Sequence, residues 1–161
     1  MSDVIRTLRL DLTSVTEEDF ECVRQLRTDV KVREYLGGPA TDEKIRAAFS
    51  VMMESGALPR WIVRSRPDCR FIGLVALGHH CDGCDVEVSY ELLPDSWGKG
   101  YATEAVRAVL GHALTELALP RVIAETQTAN APSRRLLERL GMSLERTVER
   151  FGAEQAIYTT T

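Results

Sequence analysis

The sequence predicts a mixed α/β domain (an α+β mixed sheet) with elements in the order βααβββαβαββ. Three observations carry that expectation. Val86, Val88, Tyr90 and Leu92 alternate with Glu87, Ser89 and Glu91, the two-residue period of a strand. Val106, Val109, Leu110, Ala113, Leu114 and Leu117 then recur at helical spacing. Between them, Pro94-Asp95-Ser96-Trp97-Gly98-Lys99-Gly100 reads as a tight turn that ends where the helix begins.

The remaining elements follow in order. Leu8, Leu10 and Leu12 alternate with Arg9 and Asp11, predicting one first strand over about residues 5–13. Thr16 is an expected N-cap, with acidic residues in the turn after it and Phe20, Val23 and Leu26 as the buried stripe. Gly37-Gly38-Pro39 breaks the chain. Thr41 caps a second helix carrying Ile45, Ala48, Phe49, Met52 and Met53, the methionines read as core filling. Three strands follow as a meander at about 60–65, 71–79 and 86–93. After the central helix, which ends near Leu119-Pro120, Arg121–Gln127 predicts a strand. Asn130 caps a last helix with Leu136, Leu137 and Leu140 on its apolar face and Gly141 as its C-cap. Met142–Thr161 reads as a final strand pair turning near Gly152. Trp61 and Phe71 are assigned to the core, and His112 to packing within the central helix.

At 161 residues the chain is expected to be one domain, 1–161, with a core that needs no disulfide or metal staple. A net charge of -4 argues against a nucleic-acid partner. No apolar run approaches the ~20 residues of a membrane span, and no signal-peptide pattern opens the chain. No membrane partner is expected, and a cytoplasmic location is. Cys22, Cys69, Cys81 and Cys84 suggest no disulfide framework. His79-His80-Cys81-Asp82-Gly83-Cys84 resembles half a zinc site, but no second Cys-x-x-Cys completes it. The reading preferred is a hairpin turn at Asp82-Gly83 with no metal.

The glycine turn carries the chemistry. Gly98 and Gly100 remove side chains where backbone N–H groups stand exposed at a helix start, which favours an anion such as a pyrophosphate. It is not a Walker loop, because Gly100 rather than Ser or Thr follows Lys99. It is not a dinucleotide fingerprint either, since Thr103 stands where a third Gly or Ala belongs.

Trp97-Gly98-Lys99-Gly100-Tyr101-Ala102-Thr103-Glu104-Ala105, followed by Asn130-x-x-Ser133-x-x-Leu136-Leu137-Glu138-x-Leu140-Gly141-Met142, resembles the GNAT N-acetyltransferases over nearly the whole chain. Within them it looks most like the RimJ/RimL-like ribosomal-protein alanine N-acetyltransferases. Arg6-Thr7-Leu8-Arg9-Leu10 and Tyr35-Leu36-Gly37-Gly38 add to that likeness. Trp97 departs from the Gln or Arg usual at the first place of the family's pyrophosphate loop. The resemblance implies acetyl transfer from acetyl-CoA to a primary amine, a protein N-terminus or a small molecule, by direct attack in a ternary complex. It implies that Trp97, Gly98, Lys99, Gly100, Tyr101, Ala102 and Thr103 bind the pyrophosphate. It places the pantetheine arm along Tyr90, Glu91, Leu92 and Leu93, with a local splay and a bulge, and an oxyanion donor near Leu92. Asn130 would cap its helix, touch the cofactor, or both.

For proton movement, Glu87 is the first candidate base, directly or through water, against a solvated strand face as its bland reading; Glu91 ranks below it. Ser133 resembles the serine assigned to protonate the leaving thiolate, against a first-turn residue bonding its own backbone. Tyr158 lies too far along the chain for that role. Lys99, Arg134 and Arg135 could attract cofactor phosphates. Two other classes stay open: a non-catalytic acyl-CoA-binding module, and a zinc-stabilised interaction domain on His80, Cys81 and Cys84. The oligomeric state is open, with a homodimer the assembly frequent in the family.

Overall fold

The computed structural model describes residues 4–161. Among these, eight strands form one mixed sheet in the spatial order β1-β2-β3-β4-β5-β6-β8-β7. β1 (Ile5–Arg6), β2 (Leu10–Ser14), β3 (Arg60–Ser65), β4 (Phe71–His79) and β5 (Val86–Leu92) are successive antiparallel neighbours. β6 (Ile123–Gln127) joins β5 in parallel, and β8 (Ala153–Thr159) lies between β6 and β7 (Ser143–Arg150). The helices are α1 (Phe20–Thr28), α2 (Asp42–Met52), α3 (Tyr101–Thr115) and α4 (Ala131–Arg139). No helix among the described residues is long and apolar enough to cross a membrane.

Helices cover both faces of the sheet, and each face has its own apolar cluster. α3 and α4 bury Val106, Val109 and Leu137 against Trp61, Val75, Leu77 and Val88. On the opposite face α1 and α2 bury Val23, Leu26 and Phe49 against Ile62 and Leu74. Two covered faces explain why β3 and β4 read as apolar runs, Ile62-Val63 and Leu74-Val75, instead of a strict alternation. Each fully buried aliphatic side chain contributes about 1.5–3 kcal/mol of burial. Trp61 is in the first cluster, Phe71 and both methionines border the second, and His112 packs edge-on against Trp61.

The expected caps form. Asp19 reaches back to the Thr16 N–H at 2.8 Å, and Thr41 Oγ1 accepts from the Lys44 N–H at 3.3 Å. Gly141 ends α4 at φ +84°, the left-handed conformation that glycine adopts without strain. The Asp82-Gly83 turn also forms, with the Gly83 N–H on the His80 carbonyl at 2.8 Å.

The first strand differs from expectation. Residues 5–13 are not one strand; Ile5 pairs with Leu12 and Arg6 with Asp11, so β1 and β2 make a hairpin. The cause is tertiary. The Glu104 carboxylate of α3 accepts from Thr7 Oγ1 at 2.6 Å, from the Arg9 N–H at 2.8 Å and from Arg9 Nε at 2.7 Å. That grip holds the turn at Thr7–Arg9 and leaves Leu8 88% exposed, although its spacing marked it as core.

Candidate active site

β5 and β6 pair at one point, Glu87 with Ile123, and then separate. Leu93 donates to the Ile72 carbonyl, and the β4–β5 register runs without a shift from Val86 to Leu92. Antiparallel alternation therefore turns the backbone groups of Glu87, Ser89 and Glu91 toward β4, and those of Val88, Tyr90 and Leu92 toward the gap. The expected splay is present; the expected bulge is not, because β5 leans as an unbroken strand toward β4. Gly73 permits the lean: a Cβ there would overlap the Glu91 carbonyl oxygen. Glu87 stands at the point where the two strands part, beside Ile123 of β6.

The gap opens beside the start of α3. Gly98 and Gly100 adopt φ +74° and +80°, and Gly100 is the N-cap. None of the backbone N–H groups from Gly98 to Thr103 donates to an acceptor among the described residues. Arg9 braces this loop, donating to the Lys99 carbonyl at 2.9 Å while its guanidinium lies 4.4 Å from the centre of the Tyr101 ring. Loop and gap share one cleft of about 990 Å³. Its walls include Tyr90 and Leu92 of β5, Ala124–Thr126 of β6, and Asn130, Ser133 and Leu136 at α4. Arg9, Arg107 and Arg139 add positive charge to its lining.

Inside the cleft the Tyr90 hydroxyl meets Ser133 Oγ at 2.5 Å. Burial pushes the Tyr90 phenol up to about 12, against the opposing pull of its bond to Ser133. Asn130 Oδ1 accepts the Ser133 N–H at 3.3 Å, so Asn130 caps α4 while also lining the cleft.

Carboxylates and bases occupy the other side of the strands. Glu91 pairs with Arg27 at 3.0 Å and lies 3.8 Å from Arg33. Glu125 lines the cleft and binds His80 Nε2 at 2.7 Å, while His80 Nδ1 meets Asp82 at 2.9 Å. Burial alone would lower the His80 pKa, but the bonds to Glu125 and Asp82 outweigh it, and the net shift is upward. Burial also raises Glu87, with the charge of His80 opposing. His80, Cys81 and Glu125 place ligand atoms within 4.8 Å of one another. Arg150 nevertheless donates to Cys81 Sγ and lies 3.6 Å from Glu125, so the chain's own cation balances that cluster. Cys84 stands exposed outside it.

A sheet opened between two parallel strands, with a helix start of unclaimed backbone N–H groups at its mouth, suits an elongated ligand ending in phosphates. The family described as acetyltransferase (GNAT) domain matches residues 9–143, which span both banks of the cleft and the glycine loop. This chain belongs to the GNAT acetyltransferases. An uncharacterized N-acetyltransferase, YoaA of Bacillus subtilis, is 28% identical over 160 residues, covering 94% of this chain and 89% of its own. A GNAT-family acetyltransferase structure from Bacillus anthracis superposes with a TM-score of 0.83 at 26% identity, covering 98% and 97% of the two chains. Two further structures share the fold. A Vibrio cholerae spermidine N-acetyltransferase with CoA and spermine has a TM-score of 0.80 at 21% identity, over 95% and 94% of the chains. A RimL ribosomal L7/L12 alpha-N-protein acetyltransferase with coenzyme A has 0.81 at 16%, over 98% and 97%. The narrower likeness to RimJ/RimL is therefore one of several at the level of the fold.

Against this GNAT frame the expected residues divide. Tyr90, Glu91, Leu92, Trp97, Gly98, Gly100, Tyr101, Ala102, Thr103, Asn130 and Ser133 line the cleft. Leu93 does not; its N–H is taken by β4. Lys99 contributes a carbonyl to Arg9, and its side chain, like those of Arg134 and Arg135, is outside the lining. Arg134 instead donates to the Tyr158 hydroxyl and the Thr128 carbonyl. Tyr158 is buried and tied to Glu138, away from the cleft. Glu87 sits behind the closed end of the splay. Sequence reasoning missed Arg9, Arg107, Arg139 and Glu125. Only Glu125 left a signal, as the one charged position in an otherwise uncharged strand, β6.

Proposed function

We propose that this GNAT protein transfers the acetyl group of acetyl-CoA to a primary amine by direct attack in a ternary complex. The observation that carries the reading is the junction of the two features: a strand edge that β6 leaves uncovered beyond Glu87 leads directly to a loop whose backbone N–H groups have no acceptor among the described residues. The loop Gly98–Thr103 takes the pyrophosphate, and Arg9, Arg107 and Arg139 attract the phosphates of the carrier. The pantetheine arm lies along β5 as an added strand on Tyr90 and Leu92. The Leu92 N–H, directed into the gap, stabilises the oxyanion that forms on the thioester carbonyl. Asn130 contacts the arm while capping α4.

The amine enters from the face carrying Glu91 and Glu125. An α-amine, with a pKa of ~8, needs less help to lose its proton than a lysine amine at ~10.4. Glu125 lines the cleft on that face, and Glu87, raised by burial, takes the proton through water from behind the splay. Ser133 hydrogen-bonds the departing sulfur. The acceptor classes to test are a protein N-terminus, as in RimL, and a small polyamine, as in the spermidine enzyme.

Incubation with acetyl-CoA and a panel of N-terminal peptides and small amines tests the reading, with thiol release and product mass measured together. Acceptor-dependent release with a matching acetylated product is expected. Release at the background rate for every acceptor, with no acetylated product, overturns it.

A further inference from the structure

Tyr90 and Ser133 come from β5 and the first turn of α4, and their hydroxyls touch at 2.5 Å within the cleft. The two groups are not equivalent. Either oxygen could donate in that bond, and the phenol, the more acidic of the two hydroxyls, is the better donor. With the phenol donating, Ser133 keeps its own proton for a third partner. Its backbone N–H is held by Asn130 Oδ1, which anchors the first turn of α4 that carries the hydroxyl. Along β5, Tyr90 stands two residues before Leu92, whose N–H faces the same gap.

We propose that Tyr90 is a positioning residue for acyl transfer: its phenol donates to Ser133 Oγ and so directs the Ser133 hydroxyl proton at the sulfur of the departing coenzyme A. The inference rests on the acetyl-CoA reading above. In the step itself the amine nitrogen bonds to the acetyl carbon, and the tetrahedral intermediate collapses by breaking the carbon–sulfur bond. Sulfur takes the bonding pair. The Ser133 O–H hydrogen-bonds to that thiolate, and the Tyr90 O–H polarises the Ser133 O–H in a two-bond chain. Both protons stay on their oxygens. Burial holds the phenol up at about 12, so it remains a protonated donor wherever a thiolate of pKa ~8.5 forms. The amine's proton leaves on the opposite face, and the thiolate is protonated by water.

The test is the thiol pKa of bound coenzyme A, followed by the ultraviolet absorbance of the thiolate across a pH series. Wild type, Tyr90→Phe, Ser133→Ala and the double variant are compared, each at saturating coenzyme A with its affinity measured by calorimetry. The bound thiol is expected to ionise at lower pH in wild type. Tyr90→Phe and Ser133→Ala should each cut the thiolate fraction at a fixed mildly alkaline pH severalfold. The double variant should match Ser133→Ala, because Tyr90 acts through it. In turnover, kcat should fall about tenfold or more in each single variant with the acetyl-CoA KM within about twofold. A purely packing role for Tyr90 would change stability and leave the bound-thiol pKa untouched, and that result overturns the inference. If Tyr90→Phe fails to fold, Ser133→Ala carries the same thiol measurement; an unshifted pKa there also overturns it. Failure of wild type to bind coenzyme A would instead sink the underlying reading, so the two failures are distinguishable.

Discussion

The indole Nε1 of Trp97 donates to the Leu92 carbonyl oxygen at 2.9 Å, tying the glycine loop to the open end of β5. That carbonyl faces the gap, so without the indole it would stand unpaired beside the ligand path. The side chain of Trp97 thus braces the strand end. Trp97→Phe keeps the ring and removes the donor. Coenzyme A affinity is expected to fall severalfold, with stability lowered by about 0.5–1.5 kcal/mol, read by calorimetry and thermal unfolding. An affinity equal to wild type would show that the tie does not shape the cleft.

Gly73 supports the splay from the other side of the same strand. Because a Cβ at this position would overlap the Glu91 carbonyl oxygen and crowd the Leu92 Cα, Gly73→Ala must push β5 toward the gap. The variant should lose about 1–3 kcal/mol of stability and bind coenzyme A more weakly. Denaturant unfolding with a coenzyme A titration checks both, and a variant with wild-type affinity would place the strand's lean elsewhere.

Glu104 predicts an acid-side stability loss. Burial pushes its carboxyl up, but the bonds from Thr7 and Arg9 outweigh this and hold it below the ordinary range. A depressed folded pKa contributes stability above the unfolded value of ~4.3, lost as pH falls through the folded one. Glu104→Gln should lower stability at neutral pH, release the Thr7–Arg9 turn, and flatten that part of the acid limb. Unfolding curves between neutral and acidic pH measure it.

His80 gives the opposite sign. Its net upward shift means that its contribution is complete below ~6.5 and declines as pH rises through the folded value. His80→Asn should reduce stability most at mildly acidic pH and converge toward wild type at alkaline pH. Because Glu125 loses its partner as well, the pH profile of acetyl transfer should shift with it. Parallel stability curves for the two proteins at all pH values would contradict the assignment.

The local signals in the sequence were those that depend on neighbours along the chain. The alternation of β5, the apolar stripe of α4, the caps at Thr41 and Asn130, and the glycine loop are local, and each stands where its residues placed it; α3, by contrast, ends at Thr115 instead of near Leu119-Pro120 and leaves Leu114 of its predicted stripe exposed. Alternation misled at Leu8, where a carboxylate from α3, far along the chain, turned an expected strand into a hairpin. The same limit hid the cations of the cleft. Lys99 and Arg134 were close in sequence to the motifs, yet Arg9, Arg107 and Arg139 line the site because three elements converge there.

The sequence by itself determined the mixed α/β class, the four helices and the glycine-bearing turn that starts α3, since period, capping and glycine conformation are set by the residues within each segment. Only the tertiary structure decided where β5 leaves β6, which charges face the gap, and that Tyr90 meets Ser133. Those relationships join strands and helices remote in the chain, and packing of the sheet against its helices fixes them.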